Sequence, residues 1–185
     1  MVNVAVLCEG RNDKEFFETL ISHLGFGKNK ANFYIFGGKS KFFELANTKY
    51  KDLKLEIDSG QIEKVLFVLD ADDATNDIVY GGFENTQKEL NIVIKRLAIE
   101  DVSRAYIMCD PATKVGYLES FILSTIPEGQ RNCIKNFLEC SQFKSKENHK
   151  AILNQIYNIA YPQAPYNFEH HHFEPLKTQL TYLFK

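Results

Sequence analysis

Val65-Leu66-Phe67-Val68-Leu69-Asp70-Ala71-Asp72-Asp73 is the stretch on which the fold turns. Its apolar run is too short for a buried helix, and being continuous, not alternating, it reads as a strand covered on both faces. It ends abruptly in carboxylates. Three other runs share its character: Val2 to Cys8, Phe33 to Phe36 and Ala105 to Cys109. The first leads into Glu9-Gly10 and the last into Asp110-Pro111.

Helical spacing fills the intervals. Phe16, Phe17, Leu20, Ile21 and Leu24 form one stripe, with Asn12 placed to cap it and Glu15 to complete a capping box. A second helix is expected over Lys41 to Ile57 and a third over Asn85 to Ala98, the latter on Leu90, Val93, Ile94 and Leu97. The order βαβαβαβ implies right-handed connections and a mostly parallel four-stranded sheet flanked by helices. Beyond Pro111 the pattern turns helical: Tyr117 to Thr125, Gly129 to Glu139, Glu147 to Ile159 and Pro175 to Phe184. The chain therefore divides into an α/β domain over residues 1–125 and a helical C-terminal extension over 126–185, packed on the same domain; there is no low-complexity linker or internal repeat.

The length of 185 residues, 44% of them hydrophobic, suits one globular core. No apolar run approaches the roughly 20 residues needed to span a bilayer, and Val2 to Leu7 lacks the length and basic flank of a signal peptide, so a cytoplasmic protein is expected. Cys8, Cys109, Cys133 and Cys140 form no CxxC pair and read as reduced, structural thiols. A net charge of −2 argues against a protein that coats nucleic acid non-specifically. Seven lysines (28, 30, 39, 41, 49, 51 and 54) nevertheless face only Glu44 and Asp52 in their stretch, either a phosphate-facing patch or a solvated helix face.

In open α/β sheets ligands gather beyond the carboxyl ends of the strands, so the acids there are the candidate site. Glu9, Asp70 and Asp72 would repel one another unless a cation neutralised them, and hard oxygen donors suit Mg²⁺ or Mn²⁺. Asp70 and Asp72, two apart, would point the same way on a regular strand. His170, His171 and His172 are consecutive, and their side chains are expected to diverge.

Val6-Leu7-Cys8-Glu9-Gly10-Arg11-Asn12-Asp13 before an apolar helix, with Leu66-Phe67-Val68-Leu69-Asp70-Ala71-Asp72 about sixty residues later, resembles the Toprim motif shared by topoisomerases, bacterial primases and OLD-family nucleases. The likeness spans roughly residues 2 to 125. It is strongest to small stand-alone Toprim proteins of unassigned function, which also carry a Gly-Gly-Lys and a later Leu-Glu, here Gly37-Gly38-Lys39 and Leu118-Glu119. It implies a Toprim-like, Rossmann-like sheet and a nuclease-like activity on DNA or RNA, with a protein partner supplying specificity. Glu9 would be general acid or base, Asp70 and Asp72 would hold the metal, and Glu119 would be a further ligand or a polar residue of its helix. Gly10, Lys39 and Lys41 are candidates for phosphate contact, although Gly38-Lys39-Ser40 is no P-loop because Phe33 stands where its first glycine belongs. Asp13, Asp73 and Asp110 are supporting acids.

Two other readings compete. One is a non-catalytic Toprim module that binds nucleic acid or a partner protein. The other is a haloacid-dehalogenase-type phosphatase, which Asp70-Ala71-Asp72-Asp73-Ala74 resembles imperfectly, since Ala74 replaces the expected Thr or Val and the motif follows the third strand instead of the first.

Overall fold

The computed structural model describes residues 3–27, 30–75, 77–140, 150, 155 and 166–185. Four strands form one sheet: β1 (Val4–Cys8), β2 (Ala31–Ile35), β3 (Lys64–Asp70) and β4 (Ser103–Met108). Their order is β2-β1-β3-β4 and every pairing is parallel. Seven helices are described: α1 (Arg11–His23), α2 (Lys39–Phe43), α3 (Thr48–Asp58), α4 (Phe83–Leu97), α5 (Leu118–Leu123), α6 (Glu128–Cys140) and α7 (Glu174–Phe184).

Alternation along the continuous runs feeds two cores. Val4, Val6, Cys8, Leu66, Val68 and Met108 face α1, α5 and α7, whose Phe16, Leu20, Phe121, Leu176 and Leu180 complete that layer. Ala5, Leu7, Val65, Phe67, Leu69 and Ile107 face the other way, against Phe42 of α2, Tyr50 and Leu53 of α3, and Leu90 and Val93 of α4. The chain leaves β1 toward β2 on one side and leaves β3 toward β4 on the other. With right-handed crossovers, that reversal puts α1 and α4 on opposite faces. It also opens a crevice between the carboxyl ends of β1 and β3, where such sheets receive ligands.

Three details differ from the sequence expectation. The expected helix over Lys41 to Ile57 is two helices, because Glu44 turns extended and the Asn47 side chain accepts the Lys49 N–H at 3.1 Å to start α3 afresh. Gly10, not Asn12, is the N-cap of α1, and Asp13, not Glu15, returns its carboxylate to the cap N–H at 2.7 Å. Helix α4 starts two residues early, after Gly82. The expected helix over Glu147 to Ile159 lies outside the described residues except at Lys150 and Gln155, as do Val2 of the first run and Lys28 of the lysine stretch.

Among the described residues no helix is long and apolar enough to cross a membrane. The four cysteines are free: Cys8 and Cys109 are buried, and burial pushes both thiols up, away from reactivity, while Cys133 and Cys140 are exposed.

Candidate active site

Glu9 follows the last residue of β1, where the backbone ladder to β3 has run out. Its Oε1 accepts the Asp70 N–H at 3.0 Å, so a side chain continues the pairing of the two central strands. Asp70 ends β3 and is 4% exposed; one of its oxygens accepts the Leu118 N–H at 3.1 Å and the other the Lys150 ammonium at 3.0 Å. Leu118 opens α5, so Asp70 satisfies one of the orphan donors at that helix start.

Asp72 does not continue the strand. Its φ is +59°, and it forms an antiparallel bridge with Gly116, donating its N–H to the Gly116 carbonyl at 2.7 Å. The expectation that Asp70 and Asp72 point the same way is thereby corrected. Asp70 turns to α5 and Lys150, whereas the Asp72 carboxylate pairs with Lys39 at 3.3 Å. Lys39 is buried and also donates to the carbonyls of Asp70 at 2.7 Å and Ala71 at 3.1 Å. Gly37 and Gly38, at φ +78° and +136°, make the turn that brings α2 and Lys39 over the strand ends.

Glu119, in the first turn of α5, is 3% exposed and lies within electrostatic reach of Asp13 and Lys150. The carboxylates thus form two groups joined at Asp70. Glu9 feels Asp70, Asp72 and Lys39, while Asp13 feels Asp70, Glu119 and Lys150. Burial first, and then the charge of Asp70, push Glu9 up to about 8 and Asp13 up to about 7. Burial works against the Lys150 ammonium, but Asp70, Glu119 and Asp13 outweigh it and hold the charge well above the usual lysine range.

The family model described as a protein of unknown function, DUF3226, matches residues 3–165. The chain belongs to DUF3226. No curated protein and no solved structure matches it. The matched span of this DUF3226 protein holds every residue of the acidic edge, including Lys150, and ends before His170 and α7.

The remaining candidates lie elsewhere or work differently. Asp73 accepts the N–H and hydroxyl of Thr75, both at 2.8 Å, and those bonds hold its carboxyl below the usual range; Asp110 accepts the Ala112 N–H at 2.9 Å. Both cap their own turns. Gly10 gives its N–H to Asp13, and Lys41 is exposed on α2. Lys39 spends its ammonium inside the protein, so of the two lysines only Lys41 has the exposure a phosphate contact needs. The three histidines, expected to diverge, converge: one ligand atom from each lies within 4.8 Å of the others.

Sequence reading missed Lys150, which stands eighty positions from its partner Asp70 in a stretch whose pattern signals only an amphipathic helix. It gave Asp13 a supporting part, although the carboxylate sits with the main cluster. The Asp13 signal was legible as an acid three residues after a glycine at a strand-to-helix turn.

Proposed function

We propose that this protein is a Mg²⁺- or Mn²⁺-dependent phosphodiesterase of the Toprim type that acts on DNA or RNA. One observation carries the reading: Glu9, Asp13, Asp70, Asp72 and Glu119, delivered by separate elements, gather with Lys150 at the crevice between the two central strands. Asp70, Asp72 and Glu119 are buried and Glu9 and Asp13 half-buried, and a solvated set of turn residues would show neither that burial nor two members driven toward neutrality.

The donor set fits a hard divalent cation. It is all carboxylate oxygen, and Glu9 and Asp13, raised first by burial and then by the charge of Asp70, would be eased as anions by a cation. Glu9, Asp13, Asp70, Asp72 and Glu119 are the residues from which its ligands would come. When bound, such an ion supplies a Lewis acid that polarises a phosphate and acidifies water.

The chain's own groups do the rest. Glu9, fixed at the crevice by its bond to the Asp70 N–H, is the carboxylate we assign to take a proton from water. Lys150 offers a fixed positive charge to phosphate oxygens as charge builds on them. Lys39 anchors Asp72 and the strand-end carbonyls, which keeps the edge in register. Lys41 is the candidate to meet the nucleic-acid backbone.

The test is cleavage of single- and double-stranded DNA and RNA with Mn²⁺, using wild type and Glu9→Gln. The expected result is hydrolysis lost in the variant with nucleic-acid affinity unchanged. Wild-type protein that binds nucleic acid but never cleaves it would replace the nuclease reading with that of a binding module. Hydrolysis of a small phosphomonoester alone would favour a phosphatase.

A further inference from the structure

Three consecutive side chains splay apart on a regular helix and alternate on a strand, so rings at positions 170 to 172 need an unusual backbone to meet. The structure supplies one. Phe168 and Phe173, both buried, pin the two ends of the segment in the core. Between them His170 donates its N–H to the Asn167 carbonyl at 3.0 Å, and its own carbonyl accepts the Phe173 N–H at 2.9 Å. The His170 ring folds back over the turn, its Nδ1 accepting the His172 N–H at 3.2 Å. As a result the ring centroids lie 4.4 Å (170–171), 4.5 Å (170–172) and 4.3 Å (171–172) apart.

His172 is held from behind. Its Nδ1 lies 2.8 Å from Ser124 Oγ, and that hydroxyl donates its single proton to the Phe121 carbonyl at 2.6 Å. With its proton on that carbonyl the hydroxyl accepts from His172 in the Nδ1–H tautomer, and in that tautomer the Nε2 lone pair is available. A ring fixed through one nitrogen, with the other left to bind, is the arrangement of metal-ligating histidines.

We propose that His170, His171 and His172 form a second metal site, which takes a first-row transition ion of the Zn²⁺ class through one nitrogen of each ring. An all-imidazole donor set selects Zn²⁺, Ni²⁺ or Cu²⁺ over Mg²⁺, so this site and the carboxylate edge choose different ions. Metal–nitrogen bonds of about 2.1 Å require the rings, now packed against one another, to turn so that one nitrogen of each aims at a common point. His171, exposed, is free to do so, and His170 would exchange its 3.2 Å bond to the His172 N–H for the ion. Asp110 faces His172 and favours a cation, while Arg131 opposes it. A bound ion would tie the turn before α7 to Ser124 at the end of α5, five residues after Glu119.

The experiment is calorimetric titration of the full metal-stripped chain with Zn²⁺, with Cu²⁺ paramagnetic resonance to count nitrogen ligands. One Zn²⁺ should bind wild type and Asp70→Asn equally. Ser124→Ala should weaken it about tenfold and His171→Ala more than that. His171 is exposed, so its replacement leaves the fold intact, which circular dichroism checks. Zn²⁺ affinity unchanged in His171→Ala, a copper spectrum with fewer than three nitrogens, or binding lost in Asp70→Asn would each overturn the proposal.

Discussion

Glu9 carries a chemical tension, because the acid that bridges the central strands is also disfavoured as an anion. In the unfolded chain it ionises near 4.3, and in the metal-free fold only near 8. The folded state therefore holds the extra proton between those values. Glu9 costs nothing below the lower value, and its penalty grows as pH rises toward the upper one. Glu9→Gln should match wild type at pH 4 and exceed it increasingly up to pH 8, by a few degrees in Tm, since roughly 1 kcal/mol moves a protein of this size by ~2–4 °C. A Tm difference that stays constant across that range would show that the carboxyl is not held neutral. Lys39 makes the converse case. Its ammonium pairs with Asp72 and donates to two carbonyls in a buried place, so Lys39→Ala should destabilise the protein by about 3 kcal/mol in urea unfolding. A loss under about 1 kcal/mol would mean that water replaces the ammonium freely.

At the scale of elements, the strands were legible because burial on both faces leaves an unbroken apolar run, and α1 and α4 because their stripes are long. The break between α2 and α3 was not. Phe42, Phe43, Tyr50 and Leu53 keep a helical rhythm across it, and only the capping chemistry of Asn47 marks the new start. In the acidic edge, Glu9 and the Asp70–Asp72 pair could be read from strand context. The separate directions of the two aspartates could not, since they depend on the left-handed turn at Asp72. Convergence of the histidines likewise rests on Phe168 and Phe173 anchoring a short turn, which spacing does not encode. Helix α7 lies beyond the residues that the DUF3226 family model matches, yet Leu176 and Leu180 are fully buried in the core with α1 and α5. Leu180→Ala should cost about 2–5 kcal/mol by chemical denaturation, as a core residue does and a peripheral appendage does not. A cost below about 0.5 kcal/mol would make α7 dispensable to the fold.

For the molecule as a whole, topology decides where the site stands. The order β2-β1-β3-β4 makes β1 and β3 spatial neighbours although a helix, a strand and two more helices intervene in sequence. The bond between Glu9 and the Asp70 N–H spans sixty-one positions. Closing so long a loop is slow, and here the last step of closure presses two carboxylates together in a place that water is leaving. If β1 and β3 meet before the transition state, the acidic edge is an obstacle on the folding route as well as a feature of the finished fold. Stopped-flow refolding at pH 8 without divalent ions should be faster for Glu9→Gln than for wild type, and the two should converge at pH 4. Equal rates at pH 8 would place the meeting of β1 and β3 after the transition state. Faster refolding of the variant would mean that the strand order commits the nascent protein to a kinetic barrier of its own making, one that rises with alkalinity.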